Sequence, residues 1–137
     1  MAKNRGSAIR LFLNVALQRF EDAQILLSND RSTGALYLAG YAVECALKAM
    51  LLANSPSSEH MTIIDSFRGK IGHNFESLKH KLQTRGVHFP AEIAKNLRRV
   101  GSWSPELRYL AGRQNLKETQ AFVEATVQVI QWVERSL

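Results

Sequence analysis

One cysteine, three prolines and eight glycines in 137 residues leave little to punctuate this chain. With Cys45 alone, no intramolecular disulfide can form, which agrees with a reducing compartment. The prolines stand at 56, 90 and 105, so long stretches run without a helix breaker. Alternation of period two is missing, and so are repeats and low-complexity tracts. His60, His73, His80 and His88 fall at no regular metal spacing, so no metal is expected. A P-loop and a Gly-x-Gly-x-x-Gly fingerprint are both lacking, and no cofactor is expected. Met1 to Arg10 has no apolar core of a secretory leader. No apolar run is read as approaching the roughly 20 residues of a bilayer span. The expectation is a soluble cytoplasmic protein with no membrane association.

What is present suits one domain over residues 1–137. Apolar residues make up 45% and charged residues 22%, ordinary values for a globular chain able to bury a core without staples. The net charge of +6 is unevenly placed. From Arg68 to Lys117 eleven basic residues face three acidic ones, a net +8, and the rest of the chain is −2. Such a bias fits either a phosphate-rich partner or a solvated face.

The periodicity is helical throughout. Ile9, Phe12, Ala16, Phe20, Ala23 and Leu27 recur every three or four residues and predict a first helix over about 7–28, with Ser7 as its N-cap. After a tight connection, a second helix is predicted over about 33–54. Its Ala35, Ala39, Ala42, Ala46, Ala49 and Ala53 make a stripe of small side chains, with Leu36, Val43, Leu47 and Met50 alongside. The short link implies an antiparallel hairpin. Residues 59–67 suit a short helix, and Gly69 and Gly72 bracket a turn. Asn74 reads as the N-cap of a helix running to Arg85 and ended by Gly86. Pro90 suits the first turn of the next helix, and 101–114 is irregular. Asn115 and Glu118 form a capping box for the last helix. That helix is apolar around much of its circumference, which suits a central position or a homodimer seam.

The run Tyr37-Leu-Ala-Gly-Tyr-Ala-Val-Glu-Cys-Ala-Leu-Lys-Ala49 resembles the signature second helix of HEPN (higher eukaryotes and prokaryotes nucleotide-binding) domains. Gly72-His73-Asn74-Phe75-Glu76-Ser77-Leu78 is similar to the Gly-His segment opening that family's third main helix. Arg108-Tyr109 is similar to its Arg-Tyr pair before the last helix. The resemblance implies an all-α, four- to five-helix up-down bundle with long antiparallel helices. It also implies a homodimer, a nucleotide or RNA ligand, and in some members a nucleotidyltransferase partner. One branch of the family contains metal-independent endoribonucleases of toxin–antitoxin or defence type, marked by Arg-x4-6-His. Here that spacing occurs as Arg68-Gly-Lys-Ile-Gly-His73, early in the chain and with glycine after the arginine.

The candidate ligand-binding residues are Tyr41, Glu44, Lys48, His73, Arg108 and Tyr109. Tyr37, Tyr41, Glu44 and Lys48 share one face of the second helix, which either lines a cleft or supports an ordinary i,i+4 salt bridge. His73 precedes a helix start, where it either hydrogen-bonds locally or meets a phosphate. Arg108 either binds phosphate, with Tyr109 stacking on a base, or pairs with Glu44 as a buried brace. If the chain is a ribonuclease, Arg68 and His73 are the candidate catalytic pair. Trp103 is expected to plug the core, Trp132 to lie in the core or an interface, and Cys45 to be a buried small hydrophobe.

Overall fold

Two long helices joined by a three-residue turn set the frame. The computed structural model describes the backbone of residues 2–137 and the side chains of residues 6–69 and 72–137. Helix α1 spans Ala2–Ser28 and α2 spans Ser32–Ala53. Asp30 turns the chain with a φ of 58°, a left-handed value that aspartate tolerates. The antiparallel hairpin read from the short link is formed. The start of α1 is not at Ser7. The helix runs on to Ala2, because Ala2, Lys3 and Arg5 favour helix and no proline interrupts the segment, Gly6 being tolerated inside it.

Then follow α3 (His60–Ser66), α4 (Phe75–Thr84), α5 (Ala91–Arg99) and α6 (Leu116–Ser136), with 3-10 turns at Ser57–Glu59, Lys70–His73 and Pro105–Tyr109. Among the described residues there are six α-helices and no strand, so the fold is an all-helical bundle. The four- to five-helix reading counts the bundle itself, and α3 is a two-turn addition. The local punctuation follows the sequence. Asn74 Oδ1 accepts from the Ser77 N–H at 3.0 Å, and Asn115 Oδ1 accepts from the Glu118 N–H at 2.9 Å, the asparagine half of the expected capping box without a return bond to the Glu118 carboxylate. Pro90 stands one place earlier than expected, at the N-cap of α5.

The centre of the bundle is α2. Its Ala35, Ala39, Ala42, Ala46 and Ala49 are fully covered, as the small-residue stripe requires for close approach of α1. Leu47, Leu51 and Leu52 are buried as well, each contributing about 2 kcal/mol of hydrophobic stabilisation. Helix α6 packs on α2, α5 and α1 through Phe122, Val129, Ile130 and Val133. Helix α6 keeps a polar, exposed face with Gln120, Glu124, Gln128 and Gln131, whereas α2, covered on most sides, is apolar nearly all round. That corrects one sequence expectation: α2 does contain a stretch long and apolar enough to cross a membrane, with mean hydropathy 1.5, and 78% of it is buried inside the protein.

The segment before α6 is tied to the beginning of α2. The Ser32 hydroxyl donates to the Gln114 carbonyl and the Thr33 hydroxyl to the Gly112 carbonyl, both at 2.7 Å. These two bonds fix the irregular 101–114 stretch over the face of α2 that carries Tyr37 and Tyr41.

Candidate functional site

The site begins with a charge in the core. Glu44 is 0% exposed, in the middle of α2. A buried carboxylate is costly unless paired and hydrogen-bonded. Lys48, one turn on, supplies a 2.8 Å bond from Nζ to Oε2 and is itself buried. Lys48 Nζ also lies 4.7 Å from the centroid of the Phe67 ring, whose face favours a cation.

The second partner comes from far along the chain. His73 Nδ1 lies 3.0 Å from both Glu44 oxygens, so its N–H donates to the carboxylate. That contact fixes the ring and turns Nε2 away from Glu44. The His73 side chain is 37% exposed, so one edge is braced from within and the other meets solvent.

Gly72 explains how His73 gets there. A Cβ at Gly72 would stand 2.1 Å from the Phe67 carbonyl oxygen, so the 70–73 turn lies on the backbone at the end of α3 with no room for a side chain. Gly69, with φ of +83°, makes the preceding bend.

Over α2 lies Trp103. A Cβ at Gly40 would fall 2.1 Å from its indole ring, so the ring rests directly on the glycine. Its N–H donates to the Tyr37 carbonyl at 3.1 Å. Trp103 stacks on Phe75 (centroids 5.2 Å apart, planes 8° apart) and on Tyr37 (6.1 Å), which stacks on Tyr41 (6.4 Å). Trp103 is thus the core plug expected, and also a wall, a role the sequence did not suggest.

His73, Phe75, Trp103 and Arg108 line one hollow of about 550 Å³, together with Gly69 and the acidic residues Glu76 and Glu106. Arg108 is exposed and its guanidinium carbon lies 5.0 Å from the Tyr109 ring centroid. Interaction with Tyr109, and after it Tyr37, pushes the Arg108 pKa up from an already high value, so it is a permanent cation. Tyr109 is 72% exposed. The expected alternative of an Arg108–Glu44 brace is overturned: Glu44 is satisfied by Lys48 and His73, and Arg108 remains at the surface.

Of the six candidate ligand residues, His73 and Arg108 line the hollow and Tyr109 flanks it. Glu44 and Lys48 stand behind His73 as a buried pair. Tyr41 is half-buried, and the Cys45 thiol beside it, with burial, pushes its hydroxyl up to about 12. Cys45 is the buried small hydrophobe expected; burial, then the Glu44 charge, pushes its thiol up to about 11. Arg68 is exposed and is not among the lining residues of this hollow.

His60 is buried with Nε2 3.1 Å from the Ser55 carbonyl, while His80 and His88 are exposed. Among the described residues no group of three His, Cys, Asp or Glu side chains could hold a metal ion. The residues that sequence reasoning missed are Phe67, read only as the end of a short helix, Phe75, read as part of the helix after Asn74, and Gly72, read as a turn. The Gly-His dipeptide was the available signal for Gly72.

Neither the curated proteins nor the solved structures contain a match to this chain. The family model described as the HEPN domain matches residues 9–136, nearly the whole length, and the chain belongs to the HEPN domain family.

Proposed function

We propose that this HEPN domain binds a nucleotide or RNA segment in the hollow between His73 and Arg108. The observation that carries this is one cavity lined by both an anchored imidazole and an exposed guanidinium. Arg108 supplies a forked donor to phosphate oxygens. The His73 Nε2 edge faces the same space, and the exposed Tyr109 ring offers a stacking surface for a base. The volume of about 550 Å³ falls in the roughly 300–1,000 Å³ range of small-ligand sites. The surplus of basic residues between Arg68 and Lys117 adds a long-range attraction for a polyanion.

Fluorescence anisotropy with labelled RNA, and thermal shift with ATP, test the reading. Wild-type protein binds, His73→Ala and Arg108→Ala each weaken binding at least about tenfold, and affinity falls as salt rises. Equal binding by wild type and both variants rejects the site.

A second reading, metal-independent RNA cleavage, draws on the Glu44–His73 contact. A histidine oriented by a buried carboxylate is suited to moving a proton. In this reading His73 takes the 2′-hydroxyl proton and a cation steadies the phosphorane. Arg108 is better placed for that than Arg68, because it lines the hollow. Cleavage of tRNA or mRNA in EDTA that disappears in His73→Ala would carry it.

The proposed assembly is a homodimer. Leu11 and Ile25, both more than half exposed, lie fourteen residues apart on α1 and so near one face, which suits a seam between copies. Light scattering at tens of micromolar decides it. A nucleotidyltransferase partner, the other expectation, is tested by co-purification of the two chains.

A further inference from the structure

Trp103 also lines a second hollow, of about 690 Å³, that shares no other lining residue with the His73 cavity. Leu36 of α2, Leu107 of the 105–109 turn and Phe122 of α6 join Trp103 as its apolar walls. Arg99 from the end of α5 and Glu118 from the first turn of α6 are its charged members. Among the described residues neither side chain makes an ion pair or hydrogen bond; Glu118 is engaged only through its backbone N–H. A cavity of this size with apolar walls and two exposed opposite charges that no protein group pairs fits a mixed ligand. Such a ligand has a flat apolar body, an anionic group for the guanidinium, and paired N–H donors for the carboxylate.

Among planar ring systems, guanine presents a ring N–H beside an exocyclic amine, two adjacent donors matching the two oxygens of a carboxylate. Adenine places an acceptor nitrogen beside its amine, and that acceptor would face the Glu118 charge. We propose that this second hollow binds a guanine nucleotide. The base lies between Trp103 and Phe122, Glu118 accepts from its ring N–H and amine, and Arg99 takes the phosphate. The assignment is independent of any ligand in the His73 hollow.

Calorimetric titration of the full chain with GMP, AMP and guanosine tests it. Wild type binds GMP about tenfold or more tightly than AMP, the discrimination a bidentate base contact gives. Glu118→Gln, which replaces one acceptor oxygen with a donor, erases that preference. Arg99→Gln weakens GMP and leaves guanosine unchanged. Arg108→Gln, which disables the first hollow, leaves the guanine preference intact, so the two sites fail separately. The proposal is overturned by equal binding of GMP and AMP to wild type, or by no binding at all. A guanine preference that survives Glu118→Gln or vanishes in Arg108→Gln, or an Arg99→Gln variant that binds GMP as tightly as wild type, overturns it equally.

Discussion

His73 Nδ1 lies 3.0 Å from each carboxylate oxygen of Glu44, a residue 29 positions earlier and wholly buried. The contact joins the centre of α2 to a 3-10 turn that the sequence marks only by its glycines. Glu44 also holds Lys48 at 2.8 Å, so one carboxylate satisfies a buried ammonium and aims a half-exposed imidazole.

Removing that carboxylate leaves Lys48 buried with no opposite charge. Glu44→Gln should therefore lower stability by about 3 kcal/mol, as read by urea unfolding. Glu44→Gln combined with Lys48→Met should recover most of the loss, because the orphaned charge is gone. A single variant with the wild-type urea midpoint would mean that the pair is not coupled to folding.

Gly72→Ala places a methyl group against the Phe67 carbonyl, where backbone and not a flexible side chain must yield. The expected cost is about 1–3 kcal/mol of overpacking, accompanied by weaker RNA binding as His73 shifts. Gly86→Ala is the control. It meets open space outside the hollow and pays only for its positive φ, roughly 1–2 kcal/mol. If Gly86→Ala weakens RNA binding as much as Gly72→Ala does, His73 is not positioned by the Gly72–Phe67 contact.

Gly40→Ala should expel the Trp103 ring from its seat on α2, since the new methyl would occupy the indole's place. Tryptophan emission then shifts to the red as the ring meets water, and both hollows lose a wall. Unchanged emission in a folded Gly40→Ala protein would contradict the packing described for Trp103.

Alkaline pH should destabilise the fold through two groups on α2. Cys45 rises from 9.0 to about 11 and Tyr41 from 10.0 to about 12 on folding. The folded protein keeps protons that the unfolded chain releases first. The stability contributed by these groups is thus fully present below pH 9 and is lost as pH climbs towards 11 and 12. Thermal midpoints of wild type should fall across this window, and Cys45→Ala should lack the earlier part of the fall. Parallel curves for the two proteins would remove Cys45 as a cause.

Local patterns carried most of the helical framework. The alanine stripe, the three-and-four spacing from Ile9 to Leu27, and the asparagine caps at 74 and 115 are read within a turn or two of chain. Hydrogen bonding and side-chain period at that range depend little on anything distant. The Glu44–Lys48 bond, one helical turn long, was legible for the same reason. The start of α1 was not, because Ser7 can cap a helix or sit inside one, and neighbouring helix formers decided between the two.

Tertiary structure alone chose the partners. Glu44 could have been satisfied by Arg108 or by His73, and charge gave no preference. The choice fell to His73 because Gly72 lets the 70–73 turn press against Phe67, while Ser32 and Thr33 hold the 112–114 segment by its backbone. Trp103 became a wall between two hollows because Gly40 left a flat place for it. Which side chains meet across tens of residues depends on where packed backbone leaves room, and a pattern of residue types along one chain does not encode that distance.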